Sequence, residues 1–379
     1  MDQSQRKLKI GILLRNRHDG PGGLEKVLSM VARYLPSQNA EAYLYSLFPL
    51  NYDLFTIGFQ QVRYLQYPSI LQKINHFLPA KAGRFLQKIY IKSHDDQLFE
   101  QMIEDKIDLL LVLDLSRQFI QNYPQLLKFK EASDIPILSW VHSPLTGEND
   151  QYRTSIEEAM SLFSGHLAIS RGIKRELETL YNAKEISLVY NPVEYAALLP
   201  RNPRRFLYIG RIDSNKRVHS LLKQLLSLRG EWQLDIYGST GNKRKDREFQ
   251  GYIKDLALEN NVRFHGWRDD PWKEIDNAGV LLLNSRKEGF GLAVVEAMQR
   301  GIPVLSANSP TGPSELIEEG VNGWLYPVEE EAQGIAILQK IIDSELELPD
   351  AESIQKSVEP YSASHYIKNF VTTLKQYLP

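Results

Sequence analysis

Four groups of residues in this chain have types and spacings that could do chemistry. Past Gly210, Arg211 and Lys216 stand five residues apart at a strand-to-helix turn. Arg offers a planar fork to phosphate oxygens and Lys a compact point charge. Cations at a turn are also ordinary surface charge in a chain with 24% charged residues. Glu288 and Glu296 frame the loop Gly289-Phe290-Gly291, with seven residues between the two acids. By themselves they read equally as a loop acid and a solvated helix acid. Gly22-Gly23 opens a helical pattern, where backbone N–H groups can approach an anion and the helix dipole favours it. The pair reads equally as a tight turn that binds nothing. His142 follows an apolar run directly and precedes Ser143-Pro144. An imidazole there is either a structural hydrogen-bonder or a group that faces a ligand at a strand end.

The elements that must position these groups alternate along the chain. Residues 7–14 read as a buried strand, and Leu24, Val27, Leu28, Val31 and Leu35 keep the period of a helix. Residues 107–113 and 135–141 are further buried strands. Residues 166–170 form another, followed by a helix over 171–181 with Ser170 as its cap. Residues 190–205 hold three prolines and read as a linker. Strands follow at 206–209, 234–237 and 262–267, with a helix over 246–258. Residues 280–285, VLLLNS, form a strand apolar enough for burial on both faces. A helix follows, with Leu292, Val295, Ala297 and Met298 on one stripe, and Gly301-Ile302-Pro303 ends it. Residues 303–308 are the next strand, and 362–378 read as a last helix. This alternation implies two doubly wound α/β domains. In open parallel sheets, ligands bind at the carboxyl ends of strands, where Arg211, Lys216, Glu288 and His142 stand.

Length and composition narrow the classes. The chain has 379 residues, a net charge of −2 and no cysteine. The length suits two domains, and the charge balance gives no reason to expect nucleic acid as a partner. Disulfides, a thiol nucleophile and Cys-based metal sites are excluded. The first residues carry no signal-peptide pattern, and no run reaches the roughly 18 apolar residues of a membrane span. A cytoplasmic location is therefore expected. Residues 54–94 carry six basic residues and no acid, interleaved with Ile70, Leu71, Phe77, Phe85 and Tyr90. Such a basic amphipathic surface suits anionic headgroups or an anionic acceptor, or is a solvated face over an ordinary core stripe. Peripheral contact with the inner face of the plasma membrane is the corresponding expectation.

The stretch 280–327 carries a resemblance. Glu288-Gly-Phe-Gly-Leu, Glu296-Ala-Met, Gly-Ile-Pro-Val, Pro-Ser-Glu-Leu-Ile and Gly-Val-Asn-Gly-Trp-Leu follow one another in order. The series resembles the donor-site signature of the retaining glycosyltransferases of family 4, with its Glu-x7-Glu pattern. The resemblance covers nearly the whole chain and is strongest from 206 to 327. It implies the GT-B fold, two doubly wound Rossmann-like domains facing across a cleft. Residues 1–200 would be the acceptor side and 201–360 the nucleotide-sugar domain. A helix over 361–379 would cross back to the first domain.

The same resemblance implies roles. Arg211 and Lys216 would hold the donor diphosphate, with the Gly22-Gly23 loop closing on diphosphate and acceptor. Glu288 would bind sugar hydroxyls, and the backbone N–H groups of Phe290, Gly291 and Leu292 would approach sugar or phosphate. Glu296 would take both ribose hydroxyls. His142 would lie by the donor sugar, and Gly266 and Trp267 near the nucleotide base. No metal ion and no cofactor are implied, since the nucleotide sugar is itself a substrate. The implied activity moves a hexose or N-acetylhexosamine from a nucleotide diphosphate sugar to a glycan or lipid-linked acceptor of cell-envelope polysaccharide or glycolipid. UDP, the commoner nucleotide in the family, is expected ahead of GDP. The competing reading is a non-catalytic GT-B protein that supports a partner enzyme. It predicts loss of the polar site residues, all of which are present here.

Overall fold

Two parallel sheets carry the chain. The computed structural model describes residues 6–14, 22–47, 57–65, 96–113, 115, 123–145 and 150–379. Most of the basic stretch 54–94, and with it the expected membrane surface, lies outside those residues. So does the loop that leads into Gly22. Residues Met1–Ile169, Ile173–Pro192 and Tyr366–Pro379 form one unit, and Ser170–Gly172 with Val193–His365 form the other.

The first unit's sheet contains β1 (Leu8–Leu14), β2 (Ala40–Ser46), β3 (Gln61–Tyr64), β4 (Leu109–Leu113), β5 (Ile137–Val141), β6 (Gly165–Ala168) and β7 (Ile186–Leu188). Their order is β3-β2-β1-β4-β5-β6-β7, with parallel pairing throughout. Every residue of β4 and β5 is buried. That is why LLLVL and ILSWV are unbroken apolar runs: helices cover both faces of a parallel sheet. From Tyr366 onward, the helix Ala363–Lys375 completes this unit. Phe370 packs 5.2 Å from Trp140, ring to ring, and the Tyr377 hydroxyl lies 2.9 Å from Ser187 Oγ. Gly165 makes room for it, since a Cβ there would sit 2.2 Å from the Tyr377 ring.

The second unit repeats the plan with β8 (Arg205–Ile209), β9 (Gln233–Tyr237), β10 (Val262–Gly266), β11 (Val280–Leu283), β12 (Val304–Ala307) and β13 (Gly323–Tyr326). The order is β10-β9-β8-β11-β12-β13, again all parallel. Phe206, Tyr208, Leu234, Ile236, Val280 and Leu282 pack with Val218, Leu222 and Leu225 in one core. In both sheets the strand order reverses at one point, between β1 and β4 and between β8 and β11. Such a reversal opens a crevice at the carboxyl ends of the two central strands.

Several elements differ from the sequence reading. The helix expected over 246–258 spans Lys243–Asp255, because the Asn242 side chain accepts from the N–H groups of Arg244 and Lys245. The strand expected over 280–285 stops at Leu283, since Asn284 and Ser285 turn their side chains to polar partners. Strands β2, β3, β7 and β13 had no distinct expectation. Among the described residues no helix is long and apolar enough to cross a membrane.

Candidate active site

The second unit brings its two central loops together. The loop after β8 carries Arg211 and Lys216, and the loop after β11 carries Glu288. Asn215 fastens them: its carbonyl accepts from Arg286 N at 2.9 Å, and its side-chain amide both donates to Lys287 O at 2.8 Å and accepts from Lys287 N at 3.1 Å. Lys216 Nζ then meets Glu288 Oε1 at 2.5 Å. The same oxygen accepts from Ser285 Oγ at 2.6 Å. Glu288 is only 7% exposed, so two donors meet this carboxylate in a nearly dry place. Thr311 Oγ1 donates to the Glu288 carbonyl.

Arg211 behaves differently. Its side chain is 71% exposed, with Asp213 at 3.5 Å, while Tyr208 Oη donates to its carbonyl at 2.6 Å. The structure therefore pairs Lys216 with Glu288 and leaves Arg211 toward solvent on the same loop. The next residue, Arg217, has a positive φ of 52° and turns its guanidinium inward to Glu331. Burial works against the Glu331 carboxylate. Hydrogen bonds from Asn284 and Ser220, together with Arg217, outweigh it and hold the group below the usual carboxylate range. This brace holds the turn that presents Lys216. The sequence reading did not single out Arg217 or Glu331.

The Gly-rich loop is shaped by close approach. Gly291 has φ +93° and starts the helix Leu292–Met298. Gly312 has φ +77°, and a Cβ there would lie 2.5 Å from the Phe290 carbonyl oxygen. The segment after β12 thus presses on the Gly289-Phe290 backbone. The Phe290 ring is buried and meets Tyr361 edge-on at 5.6 Å. Glu315, read from the sequence only as part of a signature, accepts from the N–H groups of Arg171 at 2.7 Å and Gly172 at 2.8 Å.

Glu296, on the helix Leu292–Met298, accepts from the indole N–H of Trp272 at 3.0 Å. At the ends of β9 and β10, Gly238 N donates to Gly266 O at 2.9 Å, and Gly266 has φ +73°. Trp267 is half-buried, its indole N–H pointing to Asp269 Oδ1 at 3.3 Å. His265 stacks on Tyr237 at 4.3 Å and bonds the buried Asp235 at 2.6 Å.

The remaining candidates belong to the first unit. His142 follows β5, 4.6 Å ring to ring from Trp140, and its Nε2 is buried without a hydrogen-bond partner among the described residues. Burial pushes its imidazole down to about 3, so the group is neutral and can exchange one hydrogen bond at each ring nitrogen. Gly22 flanks the helix Gly23–Tyr34 in an extended conformation, and Glu25 brings a carboxylate against it. No cluster of three or more His, Asp or Glu able to hold a metal ion occurs among the described residues.

Two doubly wound parallel α/β units, with cation and carboxylate meeting at a switch point, define the class: a GT-B glycosyltransferase. Residues 196–357 match the family model described as glycosyl transferases group 1. The lipopolysaccharide 1,6-galactosyltransferase of Salmonella typhimurium is 29% identical over 367 residues, spanning 93% of this chain and 94% of that one. The enzyme of the same name from Escherichia coli K12 is 31% identical over 249 residues, 62% of this chain and 67% of that one. A solved structure described as the apo form of the lipopolysaccharide outer core galactosyltransferase WaaB superposes with a TM-score of 0.73 at 27% identity, covering 98% of this chain and all of that one. HepE from Anabaena in complex with UDP shares the fold at a TM-score of 0.72 and 19% identity. The chain belongs to the group 1 glycosyltransferases.

Proposed function

We propose that the protein is a retaining hexosyltransferase that moves galactose from UDP-galactose to a sugar hydroxyl of a lipopolysaccharide outer-core acceptor. The observation that carries this reading is the meeting of Lys216 and Glu288 at the switch point, in a chain similar over nearly its full length to a lipopolysaccharide 1,6-galactosyltransferase. In the reaction the bond from the anomeric carbon to the diphosphate oxygen breaks as the acceptor oxygen bonds that carbon. The acceptor's proton leaves with the diphosphate. Negative charge grows on the leaving group and positive charge on the sugar ring.

Fixed partners for both charges are what such a site needs. Lys216 takes the diphosphate, and exposed Arg211 adds its fork to the same oxygens. Glu288 loses its lysine partner to the donor and turns to the sugar hydroxyls, where its charge tempers the ring. The backbone N–H groups of Phe290, Gly291 and Leu292 approach sugar or phosphate. Glu296 takes the ribose hydroxyls, and the Gly266-Trp267 turn lies on the base side. In the first unit, the neutral imidazole of His142 suits a hydroxyl and the Gly22-Gly23 backbone suits an anion. The chemistry requires neither a metal ion nor a cofactor.

A panel of UDP- and GDP-sugars, scored by donor hydrolysis and by transfer to truncated outer-core lipopolysaccharide, tests the reading. UDP-galactose is expected to turn over fastest, with the α linkage retained in the product by NMR. Preference for a GDP-sugar, or an inverted linkage, would overturn it.

A further inference from the structure

We infer that Trp272 is a positioning residue for nucleotide recognition, its indole N–H holding the Glu296 carboxylate in the orientation that receives the ribose diol. The inference rests on the assignment of Glu296 to the ribose and adds to it the group that sets its geometry.

Three contacts close a ring of three residues. The Trp272 indole N–H donates to Glu296 Oε2 at 3.0 Å. The Arg300 guanidinium lies over the Trp272 ring at 4.2 Å, a cation–π contact. Arg300 Nη1 returns to the carbonyl of Glu296 itself at 2.8 Å. Trp272 is 8% exposed, so its N–H needs a partner and has taken this carboxylate. An indole N–H can only donate. It therefore uses Glu296 as an acceptor, the role that two ribose O–H donors also need. The indole bond takes one of a carboxylate's roughly four lone-pair sites. A Glu side chain ordered in advance does not have to be ordered by the ligand.

The ring also ties the ribose group to the base side. Trp272 lies in the turn Pro271–Lys273, six residues beyond Gly266. The intervening loop is stiffened by Arg268, which donates to His265 O at 2.6 Å and Trp267 O at 3.1 Å and pairs with Glu274 at 2.6 Å. Base-side loop and ribose carboxylate thus share one rigid frame, with Trp272 as the link.

The test compares two nucleotides on one variant. Trp272→Phe keeps a ring for Arg300 and removes the N–H. Calorimetric binding of UDP should weaken about fivefold, the net worth of one ordinary hydrogen bond. Binding of 2′,3′-dideoxy-UDP, which has no diol, should change less than twofold. Trp272→His, which restores an aromatic N–H, should regain most of the preference for UDP. Equal losses for both nucleotides would mean that the ring merely supports the fold, and an unchanged UDP affinity would mean that it does nothing; either result overturns the inference. Glu296→Ala separates the underlying assignment. It should abolish discrimination between UDP and its dideoxy form, and full discrimination in that variant would show that Glu296 is not the ribose group. GDP and dideoxy-GDP run in parallel: binding of the guanine pair alone would indict the choice of nucleotide, leaving Trp272 to be judged on that pair.

Discussion

Lys216 and Glu288 hold each other, and each is therefore a stability residue as well as a candidate for chemistry. Lys216→Met leaves a nearly buried carboxylate with Ser285 as its remaining donor, which should cost about 3 kcal/mol in urea unfolding. Adding Glu288→Gln removes the stranded charge and should restore most of that stability. Sugar transfer should stay at least about 100-fold down in both variants, because the electrostatic partner of the diphosphate is gone. A single variant as stable as the parent would show that the pair contributes nothing.

Two histidines give the protein an acid limit. Burial pushes His142 to about 3 and His166 to about 4, from an ordinary 6.5. Between those values and 6.5 the unfolded chain binds protons that the folded chain refuses. Stability from these groups is thus level above pH 6.5 and falls as pH drops below it, by up to about 1.4 kcal/mol per pH unit for each histidine. Urea titrations at pH 5 and pH 7 should show this decline, and His142→Gln should remove part of it. His142 stays neutral across pH 5–8, so its own titration should put no inflection near 6.5 in the rate profile.

At the scale of elements, shape comes from glycine contacts that hold strand ends close. Gly312→Ala asks a residue at φ +77° to place a methyl 2.5 Å from the Phe290 carbonyl oxygen. The strain should cost about 1–3 kcal/mol and displace the Gly289–Gly291 backbone, so turnover should fall more than nucleotide binding. Equal kcat in variant and parent would show that the loop tolerates the shift. The loop itself was legible from sequence, since a strand, a Gly-Phe-Gly turn and a helix stripe are local patterns. So were the strand ends that carry Arg211, Lys216 and Glu288. The pairing of Lys216 with Glu288 was not, because it joins residues 72 apart and depends on β8 lying beside β11. Spacing along the chain places each residue at a strand end but does not say which strands are neighbours. Trp272, Asn215 and Arg217 were missed for the same reason: their partners come from other segments, and nothing next to them in sequence marks them. Strand β7 escaped because ISL is short and half-buried, without the apolar run that announces β4 and β5.

At the scale of the whole molecule, the first unit depends on residues from the far end of the chain. Phe370 packs on Trp140, and Tyr377 reaches Ser187 and the Glu185 carbonyl. Removing residues 366–379 should expose the fully buried Trp140 and open the first unit to protease, with the second unit's fragment surviving. Phe370→Ala should do the same more mildly, at about 3–5 kcal/mol. Unaltered protease resistance in the truncated chain would refute the dependence.

That last helix sets a timetable for birth on the ribosome. The first unit's sheet is spelled out by Pro192, but Tyr366–Pro379, which closes it, emerges only after the second unit has been made. At about 5–20 residues per second the wait is on the order of 10–40 s. For that interval the ring of Trp140 lacks its Phe370 neighbour and one side of the nascent sheet is open to chaperones. The unit translated first is therefore the last to be finished, and chains stalled before Tyr366 should carry a protected second unit behind an unprotected first.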